Sequence, residues 1–208
     1  YYRGIRDVIP GAKADLAWHG PLAASYTNAY FKENNVNAGY WGDLVHMIDV
    51  LNNASDADYA TRVPEVINVR QWMRYFAVNT LLGNQETSLA TGFGDDYAMF
   101  AGVNDPRFLL LPYDMDSILG KGTRSTTYAD GLFKMVGAGA TAIPALERFV
   151  KHPAFAPVYY QQLLELADTL FTPAVLDPLI DRLRLSFTPS AALETSLASM
   201  KALDRKST

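Results

Sequence analysis

One stretch of the sequence, from Asn68 to Gly83, carries the start signal, the apolar stripe and the stop signal of an α-helix. Asn68 is a favoured N-cap residue, and Gln71 three positions later completes a variant of the capping box. Gly83 supplies a residue that readily takes the left-handed conformation in which helices end. One face of the predicted helix collects Val69, Trp72, Met73, Phe76, Ala77 and Thr80. The sequence therefore predicts a well-buried helix that supports the segment following it.

Helical patterns continue through most of the remaining chain. Asp43 is the predicted N-cap of an earlier helix that ends at Asn52-Asn53, with a stripe made by Leu44, Met47, Ile48 and Leu51. Four further helices are expected over Pro144 to Lys151, Ala154 to Phe171, Pro173 to Leu183, and Pro189 to Leu203. The first forty residues are rich in aromatic residues, Gly and Asn, and they favour irregular structure with short helices.

The periodicity changes in the middle of the chain. Tyr97 to Phe100 and Arg107 to Leu111 predict two strands of a hairpin, joined by a turn from Gly102 to Pro106. A loop of small and polar residues is expected from Gly120 to Gly131. No alternation of strands and helices predicts a parallel sheet. We therefore expect a mainly α fold with a small β-hairpin (α+β), in a single domain of 208 residues.

The composition excludes several classes of protein. Hydrophobic residues make up 49% of the chain and charged residues 19%, which is typical of a globular domain with a core. The formal net charge is −4 and no run of Lys or Arg occurs, so neither nucleic acid nor an anionic membrane surface is the expected partner. Cysteine is absent, which excludes disulfides and thiolate metal sites. No apolar run reaches the roughly 18 residues that a membrane span needs.

Two carboxylates stand at the end of the most apolar strand. Leu109 to Leu111 lead through Pro112 and Tyr113 to Asp114 and Asp116. If the chain stays extended there, the two acids point to the same side with Cα atoms about 6.6 Å apart. Paired carboxylates on a firm support suit a hard divalent cation such as Mg²⁺ or Mn²⁺. More acids flank the same elements: Asp95 and Asp96 begin the partner strand, and Glu86 follows the long helix.

Other patterns indicate turns and loops instead of sites. Asp95, Asp105 and Asp130 are interpreted as turn residues, since Asp is common in turns. The stretch from Gly120 to Thr123 does not fit a P-loop, because Met115 and Gly122 stand where that motif needs Gly and Ser or Thr. Residues 137–142 match a dinucleotide fingerprint only loosely and lack its strand-helix-strand setting. Lys121, Arg124 and Lys134 are interpreted as solvated loop residues, and the three histidines are too scattered for a metal site.

Three segments follow one another in a fixed order: Ala77 to Glu86, Asp96 to Phe100, and Phe108 to Gly120. Together they resemble the CotH kinase family, which is named for spore coat protein H. In that family a helix runs into Gly-Asn-x-Asp, a strand of the Asn-Tyr-Tyr-Leu-Tyr kind follows, and Pro-Trp-Asp-x-Asp with a nearby Gly comes next. Here Glu86 replaces the family's Asp, Asp96 replaces its Asn, and Tyr113 replaces its Trp.

The resemblance implies a bacterial, secreted or spore-coat atypical protein kinase that uses ATP and Mg²⁺ or Mn²⁺ to phosphorylate Ser or Thr on proteins. Carried over by position, Asp114 would hold the metal on the phosphates, Asp116 would support it, and Asp96 would be a further metal ligand. Glu86 would orient the substrate hydroxyl or accept its proton. Asn84, next to it in the motif, would contribute to cofactor binding.

Two other interpretations stay open. A kinase also needs a strand-borne Lys and a loop over the phosphates, and no such segment can be placed before Glu86. We therefore expect the chain to correspond to a protein-kinase-like C-lobe of CotH type. A catalytically inactive, kinase-like binding or structural module of a coat or cell surface is the alternative. A glycosyltransferase using Asp114 and Asp116 as its Asp-x-Asp pair is a third interpretation, and it requires a parallel sheet.

Overall fold

A computed structural model of the chain describes residues 1–4, 12–84, 86, 89, 94–122, 131–133 and 143–204. Within them lie seven α-helices: α1 (Gly42–Asn53), α2 (Tyr59–Val66), α3 (Val69–Leu82), α4 (Pro144–Lys151), α5 (Ala156–Thr169), α6 (Pro173–Arg184) and α7 (Ala191–Asp204). Four short strands accompany them: β1 (Tyr2–Gly4), β2 (Tyr30–Lys32), β3 (Tyr97–Phe100) and β4 (Leu109–Pro112). The predicted α+β class is confirmed, and none of the described helices is long and apolar enough to span a bilayer.

Helix α3 forms as its sequence signals predict. The side chain of Asn68 accepts a hydrogen bond from the Gln71 backbone N–H, and Gly83 ends the helix at φ +64°. The buried face includes Trp72, and its indole N–H donates to the Phe108 carbonyl 2.8 Å away. This bond fixes the helix to the chain just before β4, where the predicted site residues follow.

The four strands form one antiparallel sheet in the order β2-β1-β3-β4. The predicted hairpin of β3 and β4 is confirmed, with Tyr97 opposite Pro112 and Phe100 opposite Leu109. Strands β1 and β2 were not expected, because three residues are too few to show an alternating pattern. The antiparallel sheet gives no support, within the described residues, to the glycosyltransferase interpretation.

Successive side chains along each strand point to opposite sides, so the sheet has two faces. One face is buried in the core and carries Tyr2, Tyr30, Tyr97, Met99 and Leu110. We call the opposite side the outer face, which by the strand register carries Phe31, Arg3, Ala98 and Leu111 in one row and Phe100 beside them. Phe31 is 50% exposed and Phe100 40% exposed, so part of the outer face is open to solvent.

Helix boundaries differ from the predicted ones in a few places. Trp41, not Asp43, is the N-cap of α1, and Asp43 lies in the first turn, where its carboxylate accepts bonds from the Leu44 N–H and the Tyr2 hydroxyl. Helix α2, which the sequence did not reveal, has only eight residues and contains Pro64. Of the helices predicted after residue 143, α4 has the predicted bounds, and the ends of the others agree or shift by one or two residues.

A single cluster of buried apolar residues extends from Tyr2 to Leu176 and includes residues of β1, β3, β4 and helices α1 to α6. Helix α3 packs against both α5 and β4. None of the residues of α7 whose exposure is described is buried, and that helix packs on α6. The elements that carry the predicted site residues therefore rest on the centre of the core.

Candidate active site

Strand β4 is held to helix α3 by one side chain. The Gln71 amide Nε2 donates to the Leu110 carbonyl at 2.6 Å, and its Oε1 accepts from the Leu110 N–H at 2.9 Å. A short parallel bridge between Ile67 and Phe108 adds to this connection at the start of the helix. The loop after Pro112 therefore begins from a fixed strand.

The chain does not stay extended after β4. Asp114 takes the left-handed conformation at φ +54°, so the prediction that Asp114 and Asp116 project to one side of an extended strand is wrong. Asp116 is exposed, and its Oδ1 accepts a hydrogen bond from the Ser117 hydroxyl at 3.0 Å. The loop then folds tightly over Ser117, because Gly122 has φ +80° and a Cβ there would collide with Ser117.

Asn84 joins the end of α3 to both acidic loops. Its Nδ2 donates to Asn79 Oδ1 at 2.9 Å and to the sulfur of Met115 at 3.2 Å, and its Oδ1 accepts from the Glu86 N–H at 2.9 Å. The side chain is fully buried. Both N–H groups of the amide and one acceptor position of its oxygen are thus engaged with protein. Asn84 therefore holds the two acidic segments in place from a buried position.

A second connection lies beside the first. The backbone N–H of Leu119 donates to the carbonyl of Leu82 at 2.7 Å, which ties the loop after Asp116 to the last turn of α3. Orphan carbonyls at the end of a helix need such partners. The loop that carries Asp114 and the segment that carries Glu86 are therefore both anchored to the same helix end.

Asp96 lies where the charges of these acids meet. It takes the left-handed conformation at φ +55° and is half-buried, just before β3. Burial above all, together with the negative charges of Asp95, Asp114 and Glu86, raises the pKa of the Asp96 carboxyl to about 6. The structure therefore places Asp114 and Glu86, which come from two other segments, close enough to Asp96 for their charges to act on it.

The predicted set is not assembled in full. Asp116 is not among the residues whose charge shifts the pKa of Asp96. Among the described residues, no three or more His, Asp or Glu side chains are arranged as a metal-binding cluster. The assignment of Asp96, Asp114 and Asp116 as metal ligands therefore stays a prediction. The donor chemistry fits a hard cation nevertheless, since mutually repelling carboxylates are the groups that such a cation stabilises.

Arg3 is a residue of the site that the sequence did not point to. Its positive charge opposes the rise in the pKa of Asp96, and its guanidinium carbon lies 3.8 Å from the centroid of the Tyr113 ring. A lone Arg in a three-residue strand gives no motif. Its place beside the acids depends on the pairing of β1 with β3, nearly one hundred positions along the chain.

An apolar cavity of about 270 Å³ adjoins the acidic loops between α3 and β4. Its lining includes Tyr75, Val78, Leu111, Pro112 and Met115. Pro112 and Met115 flank the segment that carries Asp114, so an apolar surface and an acidic surface lie next to each other.

Several minor predictions can be compared with the structure. Asp105 is a turn residue, with a carboxylate that accepts from the Arg107 N–H at 3.1 Å. The three histidines are dispersed: His46 is exposed on α1, His19 lies near Asp15, and His152 packs on Tyr59. The predictions for Arg124, Asp130, Lys134 and residues 137–142 lie outside the described part of the chain.

Comparison with known protein families gives a match over most of the chain. The sequence profile of the family described as CotH kinase protein matches residues 9–201, which include all the predicted site residues. No curated protein matches the chain. Arg3 lies before the matched segment.

Proposed function

The chain belongs to the CotH kinase family, and from that premise we propose that it carries the metal-binding and catalytic acids of an ATP- and Mg²⁺-dependent protein kinase. The reaction is the transfer of the γ-phosphoryl group of ATP to a Ser or Thr hydroxyl of a protein. The observation that carries the proposal is the meeting of Asp96, Asp114 and Glu86 at the common end of α3 and the β-hairpin. Phosphoryl transfer depends on positioning and on charge neutralisation, and carboxylates gathered from rigid elements serve both.

Asp114 and Asp96 are the residues that would hold the divalent cation. Both stand in left-handed conformations at the ends of paired strands, and each acts electrostatically on the other. Bound there, Mg²⁺ or Mn²⁺ would neutralise charge on the phosphate groups and orient them. Asp116, hydrogen-bonded to Ser117, supports the loop and is available as a more distant ligand.

Glu86 is the proposed acceptor of the hydroxyl proton. Its backbone N–H is fixed by the buried amide of Asn84, which makes Asn84 a positioning residue in this proposal. The hydroxyl proton passes to the Glu86 carboxylate as the oxygen attacks the γ-phosphorus, and the bond to ADP breaks. The apolar cavity beside Pro112 and Met115 supports nucleotide binding, because a purine ring favours an apolar slot next to the phosphate site.

An inactive, kinase-like binding or structural module is the second candidate. The observation that favours it is Glu86, which stands where the family has Asp. The additional methylene moves the carboxylate outward, and catalysis is sensitive to displacements of about 1 Å. In that case the acids would still attract a cation, but no phosphoryl group would be transferred.

Phosphoryl transfer to a mixture of Ser- and Thr-containing proteins, with labelled ATP and Mg²⁺ or Mn²⁺, separates the two candidates. The kinase proposal expects Glu86→Gln to lower transfer by about 10²-fold or more while Mn²⁺ binding is retained, since only the proton acceptor is removed. Glu86→Asp should keep activity, and Glu147→Gln, on the exposed surface of α4, is the matched control. Full activity of Glu86→Gln would exclude it as the base, and no transfer by the parent protein would favour the binding module.

Family membership also supports a spore-coat or cell-surface location, outside the cytoplasm, which we include in the proposal. Its substrate would then be a protein of that layer. Immunolabelling of intact spores or cells tests the location: signal confined to the cytoplasm would contradict it.

A further inference from the structure

We propose that Arg3, stacked on Tyr113, contacts the phosphate groups of the bound nucleotide. The inference rests on the proposed function, because it assigns a ligand to the same acidic site. Arg3 lies outside the segment that the family comparison matches, and residues 9–201 contain the other site residues.

The first step is the position of Arg3 in the sheet. Strand β1 is an inner strand, and Arg3 stands opposite Phe31 on one side and Ala98 on the other. Tyr2, its neighbour in the chain, points into the core. Since side chains alternate along a strand, Arg3 leaves the sheet on the outer face, on the side open to solvent.

The second step is the stacking on Tyr113. The guanidinium carbon lies 3.8 Å from the ring centroid, and Tyr113 directly precedes Asp114. Stacking over a ring fixes the plane of the guanidinium, while its N–H groups point outward within that plane. A planar fork held in this way is pre-organised for the oxygens of a phosphate group.

The third step is an N–H group without an acceptor. The Nε of Arg3 is buried, and within the described part of the chain no atom accepts its hydrogen bond. Buried donors in folded proteins nearly always have a partner, since leaving one unsatisfied is unfavourable. A phosphate oxygen at the acidic site would supply the acceptor once the atoms that cover Nε move aside.

The fourth step is the balance of charge. Asp95, Asp96, Asp114 and Glu86 act together at the site, and Arg3 is the cation that acts on Asp96. A triphosphate is itself strongly anionic, so its approach to these acids requires positive charge beyond that of the divalent ion. Arg3 provides such charge close enough to act on Asp96.

Lys32, the cation on the neighbouring strand β2, does not serve this role. It is 8% exposed, donates to the Tyr40 carbonyl at 2.5 Å, and lies between the rings of Tyr2 and Trp41. Its register partner is Tyr2, so it belongs to the core face. Of these two strand-borne cations, Arg3 is the one directed toward the outer face.

The test measures binding of Mn²⁺ alone, of ATP with Mn²⁺, and of pyrophosphate with Mn²⁺, by titration calorimetry on the full chain. Arg3→Gln should weaken ATP binding by about tenfold or more, because a charge-assisted bidentate contact is lost. Mn²⁺ binding should be unchanged or tighter, since a positive charge leaves the site. Arg3→Lys should fall between the parent and Arg3→Gln, because Lys keeps the charge without the planar fork.

Two further variants keep the result interpretable. Arg62→Gln removes an exposed guanidinium on α2 and should bind ATP as the parent does. Tyr113→Leu removes the stacking ring but no charge, and it should weaken ATP binding less than Arg3→Gln does. Equal unfolding temperatures of these variants and the parent show that β1 remains paired.

The outcomes distinguish the inference from the function on which it rests. Unchanged ATP affinity in Arg3→Gln would overturn the role of Arg3 while leaving the kinase proposal in place. Pyrophosphate binding that depends on Arg3, without ATP binding by the parent, would support the phosphate contact and contradict the kinase proposal. No binding of either compound by the parent chain would overturn both.

Discussion

Asp96 is the residue at which the electrostatics of the site are most unfavourable in the absence of a cation. It is half-buried, it faces three other acids, and its pKa is raised to about 6. Its backbone is left-handed at φ +55°, a conformation that Asp and Asn adopt more readily than other residues with a side chain. Asn therefore replaces Asp96 without new backbone strain, and it removes the repelling charge.

We predict that Asp96→Asn stabilises the metal-free protein near neutral pH. The folded-state pKa of about 6 lies above the ordinary value of 3.8, so the folded protein binds the proton more tightly than the unfolded chain. The stability that Asp96 contributes is fully present when the pH is below the ordinary pKa of Asp. It is lost as the pH rises through the pKa of Asp96 in the folded protein. Thermal unfolding in a chelating buffer should therefore show a higher midpoint for the variant at neutral pH and no difference near pH 3.8.

Exposed Asp168 on α5 provides the control, since Asp168→Asn should leave the midpoint unchanged at every pH. An Asp96→Asn variant no more stable than the parent at neutral pH would contradict the repulsion among these acids.

For individual residues, the sequence was sufficient to select the acidic residues of the site but not to predict their geometry. Asp96, Asp114 and Glu86 could be selected from strand ends, a helix end and a family resemblance. The extended path through Asp114 was wrong because a left-handed residue interrupts it, and Asp tolerates that conformation without any signal in the pattern. Arg3 could not be selected, since its position depends on pairing between distant segments.

Among the secondary-structure elements, α3 and β4 form the unit that positions the site. Gln71 was expected to complete a capping box, and only half of that motif is confirmed. Asn68 caps the helix, while the Gln71 side chain bonds both backbone groups of Leu110 in β4. The Gln71 side chain therefore connects α3 to β4 instead of capping its own helix.

We predict that Gln71→Ala lowers the free energy of unfolding by about 1–3 kcal/mol, because the N–H and carbonyl of buried Leu110 lose their partner. Urea unfolding followed by circular dichroism measures the change. Gln161→Ala, at an exposed position of α5, is the control and should have little effect. Equal stability of the Gln71 variant and the parent would mean that β4 does not depend on this contact.

A helix with a cap, a stripe of adequate length and a stop signal was predictable, as α3 shows. The missed elements lacked one of these. Helix α2 has eight residues and an internal Pro64, and β1 and β2 have three residues each. Such short elements are stabilised by long-range contacts, which a local pattern does not contain.

At the scale of the whole molecule, the described residues share one core, which joins the N-terminal strands to the helices on either side of the hairpin. Arg148 illustrates the connection: from α4 it donates to the carbonyls of Asn52 and Ala54 at the end of α1 and stacks on Tyr59. We therefore propose that the described elements form a single domain, as the sequence predicted.

We predict one cooperative unfolding transition for this domain. Fluorescence from buried Trp72 and the far-ultraviolet circular dichroism should give coincident urea curves, because α3 lies at the centre of the common core. Hydrogen exchange should be slowest in α3 and fastest among the helices in α7, which buries no residue of described exposure. Two separate transitions would contradict a single domain.

Binding of Mn²⁺ with ATP, measured by titration calorimetry on the parent chain and on Asp114→Asn, tests the central claim most directly. Asn keeps the left-handed backbone at residue 114 and removes one carboxylate from the acids that meet at Asp96. The account predicts that the parent binds Mn²⁺ together with ATP and that the variant, with an unchanged unfolding midpoint, loses Mn²⁺ binding. An Asp114→Asn variant that binds Mn²⁺ as tightly as the parent would contradict the assignment of this site.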